Sequence, residues 1–469
     1  MCFNGDVKEP LKQKGAFPVE KMINEMLEKF KGNLQEFFME EKRTVAEAEE
    51  YFGKCLSEIV TALLSAYYEK LDRQMLQDKN ERRKQGLLVE RHGDKRTILT
   101  TLGEVEYHRT YYRTQEKEYC YPIDAIAGVE SRQRIAGGVN EELVKNACVM
   151  SYGKSAQNVT GNHVSRQTVL NKMRESYVPP TPEQTLRKIK FLHIDADEDH
   201  VTLRGKKKTI VPLVSVYEGI EKHGKRGACV NAFHIGAYGK TTEDFWHEVL
   251  TEIEKRYDLS ETTIYLHADG AKWIRSGLEY LPGSVFVLDP YHKNKYLRQS
   301  VIDMDEKDRK KYKELLFSAL RDGDKERFAA LSGEIVKASA KNAKKVEEAL
   351  NYLSKHFDAI HIRYVNPEAR NGGATEPHIS HVLSSRLSSR PMAWSKKTLE
   401  HLVPVLAAGR FVLKKEMTDS TSACSKKASK PKKQKTAPFS LGLPDPDRAV
   451  SLPARSGKVT PLFNALRPF

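Results

Sequence analysis

The sequence predicts an α/β protein: a mixed sheet interrupted by an all-α insertion and preceded by a helical arm, a small β-hairpin module and a helix-turn-helix. Three observations predict it. Between residues 187 and 298, apolar β-rich runs joined by short turns give way to strands alternating with amphipathic helices. Residues 299–360 place apolar side chains at three- and four-residue steps among many charges, as a helical insertion would. At 97–113, TILTTLGEVEYHRTYYR switches from helical spacing to alternation.

Taken in order, residues 1–90 form the arm, with Met22, Ile23, Met26, Leu27 and Phe30, then Ile59, Leu63, Leu64 and Tyr67, at helical spacing. Residues 91–135 form the hairpin module, turning at Leu102-Gly103 and ended by Pro122. Residues 136–176 read as helix, Gly-containing break and helix, with Arg166, Gln167, Thr168 and Asn171 pointing outward from the last helix toward DNA. An ordinary helical hairpin fits the same pattern. The Pro-rich stretch 177–185 is a linker. Strands are expected at 190–197, 209–217, 228–238, 263–269 and 284–289, and helices at 241–257 and 271–281. The α/β core resumes for its last part at 361–412, and 413–469 is a basic tail without periodicity, expected to be largely disordered.

Composition narrows the function. Lys and Arg outnumber Asp and Glu by 78 to 63 and the formal net charge is +15, which favours a polyanionic partner. Six scattered cysteines give neither a zinc module nor a disulfide framework. With no signal-peptide core and no run of 18 apolar residues, a soluble cytoplasmic protein without a membrane partner is expected.

Against that basic background, FLHIDADEDHVTL (191–203) stands out. On a strand Asp195, Asp197 and Asp199 share one face, and Ile194, Ala196 and Glu198 the other. Crowded carboxylates are costly to desolvate and persist beside water or a cation. Asp269 closes the apolar run TIYLHADG at a strand's carboxyl end, where α/β sheets bind ligands. In NGGATEPHISHVLSSR, Glu376 enters the first turn of a helix capped by Thr375, with Arg386 at a helical step beyond it. Three such acids could hold two Mg²⁺ or Mn²⁺ ions and serve an in-line phosphoryl displacement.

These motifs resemble those of a DDE transposase with a ribonuclease-H-like catalytic domain, of the bacterial insertion-sequence group akin to mutator-type elements. The resemblance rests on DEDHVTLR with Asp197 and Arg204, on HADGAKWI with Asp269, and on LDPYHKNKYL with His292, although that motif usually carries Cys where Asp289 stands. Its last motif is Asn371, Glu376 and Arg386. Asp195 is a second candidate for the first acid and for metal binding; the Arg204 spacing favours Asp197. The resemblance implies catalysis by Asp197, Asp269 and Glu376 with two divalent ions, His292 near the scissile phosphate, and Arg204, Lys293 and Arg386 against phosphates. It also implies a partner in double-stranded DNA, both element ends and target, and at least a homodimer to bring two ends together. A nuclease that cuts without joining and a catalytically dead DNA-binding regulator are the alternatives. A carboxylate-pair glycosidase is disfavoured by the basic charge and by only three tryptophans.

Overall fold

A computed structural model of the chain describes residues 19–39, 43–223, 226–370, 375–414 and 450–451. Most of the basic tail, with 415–449 and 452–469, therefore lies outside the described residues. The chain divides into two compact units: one comprises the described residues up to Leu143 with Ala156–Val164, the other Val144–Ser155 with Ser165–Lys414. No helix among the described residues is long and apolar enough to cross a membrane.

The first unit opens with the expected arm, α1 (Val19–Met39) and α2 (Val45–Gln77). Helix α2 starts at Thr44 because a capping box closes there: Thr44 accepts the Glu47 amide while Glu47 returns to the Thr44 amide. Strands β1 (Leu88–Thr100) and β2 (Gly103–Arg113) form the hairpin, with Thr100 opposite Gly103 so that the turn is Thr101-Leu102, one residue before the expected position, and Tyr119–Cys120 adds a short third strand. Pro122 ends the sheet and also begins a short helix, Pro122–Ile126, at the position where a missing amide hydrogen is not needed. Helices α3 (Gly137–Ala147), α4 (Tyr152–Thr160) and α5 (Arg166–Glu175) follow in the order expected of a helix-turn-helix, their residues shared between the two units. Ser165 caps α5 by accepting the Thr168 amide.

The second unit is organised by a five-stranded sheet of β4 (Phe191–Thr202), β5 (Lys208–Tyr217), β8 (Phe233–Gly236), β9 (Thr263–Ala268) and β10 (Ser284–Leu288). Its order is β8-β5-β4-β9-β10. Neighbours β8, β5 and β4 run antiparallel, whereas β4, β9 and β10 are parallel. One expected strand differs. Residues 228–238 do not form a continuous strand: Asn231 takes a left-handed conformation (φ 51°), which breaks the run. Arg226–Cys229 (β7) instead pairs with Ile220–His223 (β6) in a separate hairpin, and only β8 joins the main sheet.

One face of this sheet is apolar. Leu192, Ile194 and Ala196 of β4 and Ile264, Leu266 and Ala268 of β9 pack against Phe245, Trp246, Val249 and Ile253 of α6 (Thr242–Glu254). Trp246 is fully buried, its Nε1 donating to the Trp273 carbonyl at 2.8 Å. After β10 come α7 (Pro290–Gln299), α8 (Glu306–Asp322), α9 (Lys325–Ala338), α10 (Ala343–Lys355) and α11 (Phe357–Val365), which realise the helical insertion. Their core, with Leu316, Leu320, Phe328, Leu350 and Phe357, includes Leu288 from the end of β10. Helix α12 (Thr375–Ile379) runs on through a π-helical turn, Ser380–Ser384, into Ser385–Leu387. Helix α13 (Lys396–Ala408) closes the unit.

The close approach of α6 to the segment after β9 requires glycine at 277: a Cβ there would lie 2.5 Å from Cζ2 of the rigid Trp246 ring. Gly277→Ala is expected to lower stability by about 1–3 kcal/mol through overpacking, read as a lower urea midpoint at unchanged slope.

Candidate active site

The sheet register decides which acids meet. Pairing of β4 with β9 runs to Asp195 opposite His267, and Asp269, the residue after β9 ends, comes close enough to Asp197 for its charge to raise that carboxyl's pKa. On β9 and β10, Ala268 pairs with Leu288, so Asp289 comes abreast of Asp269; its amide donates to the Ala268 carbonyl at 3.0 Å. Three aspartates thus form a row across three strands. The alternation expected for 191–203 holds: Leu192, Ile194 and Ala196 enter the apolar core, and Glu198 on their side accepts a hydrogen bond from Trp273 Nε1.

Each acid is held differently. Asp289 is buried and caps α7, accepting the His292 amide at 2.9 Å through one oxygen and facing His292 Nδ1 at 2.7 Å through the other. That contact holds the His292 pKa above its ordinary value and leaves Nε2 as the ring's free-facing nitrogen. Asp269 bends into a turn in which its Oδ1 accepts the Ala271 amide at 2.9 Å. Gly270 sits at φ 89° with a Cβ position only 2.6 Å from His356 Cε1, so both its conformation and its neighbour demand glycine. Tyr352 donates its hydroxyl to the Asp269 carbonyl and stacks on Tyr296. Among the described residues, Asp197 accepts the Glu198 amide at 2.8 Å. Burial, and after it the neighbouring charges of Asp269 and Asp289, push its pKa up to about 6.

Asp195, the second candidate for the first acid, faces other partners. It is buried at 1% exposure, accepts the Tyr217 hydroxyl at 3.0 Å and lies 3.3 Å from His378 Nδ1. These contacts overcome burial and raise His378 to about 9. Asp199 accepts Ser388 Oγ at 2.7 Å. Beneath the acids, His193 and His267 share a 3.1 Å hydrogen bond between their rings, and burial drives both pKa values down, His193 to about 4, so the pair is neutral.

The remaining candidates separate. The backbone of Glu376 lies in the first turn of α12; its side chain and the whole of Asn371 are outside the described residues. Lys293 is buried, donating to Tyr364 at 3.0 Å and lying 4.9 Å over the Phe317 ring, which turns it toward the helical insertion. Arg386 is 4% exposed; its Nε donates to the Ala147 carbonyl at 2.7 Å and its guanidinium covers Trp394, so it serves the fold and does not reach an external phosphate. Arg204 is exposed in the turn after β4. On α5, Arg166, Gln167 and Asn171 are exposed and Thr168 half-buried, with Gln167 donating to Asn171 at 2.9 Å.

Sequence reasoning missed three members: Asp289 as the partner of His292, and Tyr352 and His356 behind Asp269. Asp289 had a signal, since an Asp before Pro290 and three residues before His292 is a helix start. Tyr352 and His356 had none, lying on a distant helix. Among the described residues, no group of three His, Cys, Asp or Glu side chains is arranged to hold a metal ion. The Asp197–Asp269 pair nonetheless suits a hard divalent cation in donor chemistry: both offer carboxylate oxygen, and burial together with Asp269 and Asp289 raises Asp197 although His292 pulls the other way.

That raised pKa has a stability sign. The penalty for ionising Asp197 in the folded protein is fully present above about pH 6 and disappears below its unfolded pKa. Without divalent ions, Asp197→Asn is therefore expected to stabilise the protein at pH 7.5 by about 2–3 kcal/mol and to have little effect near pH 4, checked by thermal melts at both values.

A model of the family described as Uncharacterised protein family (UPF0236) matches residues 38–417. Two UPF0236 proteins of Caldanaerobacter subterraneus subsp. tengcongensis are each 36% identical to the chain. One, whose name joins eleven loci, matches over 362 residues, 76% of this chain and 75% of its own. The other, whose name joins four, matches over 343 residues, 72% of each. A UPF0236 protein in the vanSb 3' region of Streptococcus gallolyticus is 26% identical over 385 residues, 78% of this chain and 83% of that one. The family match spans α2, the hairpin module, the helices 137–175 and the whole acid-bearing sheet, and on it the chain belongs to the UPF0236 family.

Proposed function

We propose that this chain is a DDE transposase with a ribonuclease-H-like catalytic core, which binds the terminal inverted repeats of its insertion element and catalyses metal-dependent cleavage and strand transfer. One observation carries the reading: Asp197 near the middle of the sheet and Asp269 just past the end of the adjacent parallel strand lie close enough to act on each other, with His292 beside them. The order of the main-sheet elements supports it too: β4, β5 and, after the separate β6–β7 hairpin, β8, then helix, strand, helices, strand, helical insertion and the helix bearing Glu376. So do the relatives whose names join eleven and four loci, since copies at many loci are what a mobile element leaves.

In this reading Asp197, Asp269 and the Glu376 carboxylate would hold two Mg²⁺ or Mn²⁺ ions. Such ions, when bound, neutralise charge on the transferring phosphoryl group and acidify water. The chain's own groups do the rest. Asp197 takes the role of first acid, because Asp195 is already committed to Tyr217 and His378. His292, whose charged form Asp289 favours through their hydrogen bond, faces the same row and holds a non-bridging oxygen of the scissile phosphate. Asp289 is a positioning residue that fixes the imidazole's orientation and charge. Helix α5 presents Arg166, Gln167 and Asn171 to a DNA groove. At least a homodimer is needed to hold two ends, and a cytoplasmic bacterial setting follows from the reading.

The test uses labelled duplexes spanning both boundaries of the genomic segment that encodes the chain, with Mg²⁺ or Mn²⁺. Nicking at the boundary and joining to a second duplex are expected, with Asp197→Asn, Asp269→Asn and Glu376→Gln each losing at least about a thousandfold in rate and Asp195→Asn keeping most of it. Products that are cut and never joined would replace the reading with a simple nuclease; bound DNA that is never cut would replace it with a regulator.

Asp289→Asn is expected to slow cleavage by about 10- to 100-fold and to shift the alkaline limb of the pH–rate profile downward, because His292 loses the carboxylate that favours its charged form. An unchanged profile would remove Asp289 from the mechanism.

A further inference from the structure

The first unit carries a groove that this chemistry leaves unused. It is open, has a volume of about 570 Å³, and is lined by Lys95 and Arg96 of β1 and by Arg132 and Arg134 of the loop between the helix Pro122–Ile126 and α3, with Glu104 as its carboxylate. Lys95 is partly neutralised by Glu106 at 2.7 Å. Arg132 and Arg134 are exposed, and no carboxylate among the described residues engages either guanidinium.

The loop is built rather than slack. Arg96 donates to the carbonyls of Glu130 and Gln133 at 2.8 and 2.5 Å. Gln133 accepts the Glu130 amide at 2.8 Å and donates to the Ile135 carbonyl at 2.7 Å. The Arg134 carbonyl accepts the Leu99 amide at 2.9 Å, tying the loop to β1. Within it Arg132 is held at φ 62°, a left-handed conformation unfavourable for a long side chain and kept only where the surroundings enforce it. The effect is to fix two unpaired guanidiniums at the rim.

We propose that this groove is a sequence-independent contact surface for the phosphate backbone of duplex DNA, an inference that rests on reading the chain as acting on DNA. Three of its four cations are guanidiniums, whose planar forks match phosphate oxygens in pairs. A membrane surface would want apolar side chains to insert beside the cations, and Leu99, half-buried, is the groove's apolar contribution.

The experiment measures binding of the full chain to a fluorescein-labelled duplex of random sequence across a salt series, with EDTA present so that no cutting intervenes. The double variant Arg132→Ala/Arg134→Ala is expected to bind more weakly, with a log Kd against log salt slope shallower by about 2, near 0.9 for each phosphate no longer neutralised. Arg132→Lys/Arg134→Lys is expected to keep the slope, which separates lost charge from a disturbed loop. An unchanged slope in the alanine variant overturns the proposal. So does a loss confined to duplex RNA, or to phosphatidylserine vesicles, with DNA binding intact. The readout is independent of catalysis: a groove-dependent slope without cleavage keeps the surface and removes the transposase, and cleavage with an unchanged slope does the reverse.

Discussion

Like charges crowded together at the ends of parallel strands are the constraint on which the second unit depends. Parallel strands in register bring their carboxyl ends to one level, so Asp197, Asp269 and Asp289 cannot avoid one another once β4, β9 and β10 pair. Burial strengthens the repulsion, because neighbouring charges act through a lower dielectric than water. The surroundings relieve it member by member. Asp289 is satisfied by the start of α7 and by His292, Asp269 by its own turn, and Asp195 by Tyr217 and His378. Asp197 accepts the Glu198 amide. Of the row, Asp197 is the member whose carboxyl burial and its acidic neighbours raise, with His292 as the opposing charge.

The two faces of the sheet divide this labour. Toward α6 the interior is apolar and tightly filled, and it supplies cohesion through burial of Leu, Ile and Trp side chains. Toward the acids it is polar: His193, His267, Tyr217 and Tyr265 form a stacked layer below the carboxylates. Neutral imidazoles suit that layer. Each can donate through one nitrogen and accept through the other, so they fill volume and satisfy polar groups without adding charge beneath a row that already has too much of one sign.

Much of this was legible in the sequence, and the exceptions share a cause. Period-two alternation over 191–203 identified both the strand and its acidic face, and the Asp-Gly step after TIYLHA marked the second acid, because both depend on local geometry. The break at Asn231 was not legible, since nothing in the apolar content of 228–238 reveals a left-handed residue. Arg386 failed for a related reason. Counting helical steps from Glu376 assumes an unbroken α-helix, but the π turn at Ser380–Ser384 inserts an extra residue per turn and rotates everything after it, carrying Arg386 inward against Trp394. Lys293 likewise points where the insertion's aromatic rings draw it. The fates of these side chains are decided by partners distant in sequence.

The helical insertion is the largest such partner, and its packing makes it part of the site. Tyr352 and His356 lie at the end of α10, one hydrogen-bonded to the Asp269 carbonyl and the other pressed against Gly270. The insertion's core also takes in Leu288, the residue before Asp289. Two of the three aspartates in the row are therefore fixed from behind by helices that intervene between β10 and the Glu376 helix. Close-packed interiors transmit small displacements because they have no slack to absorb them. A shift of α10 would move the Asp269 turn and the start of α7 together, altering both the second acid and the orientation of His292 while Asp197, anchored on the central strand, stays in place.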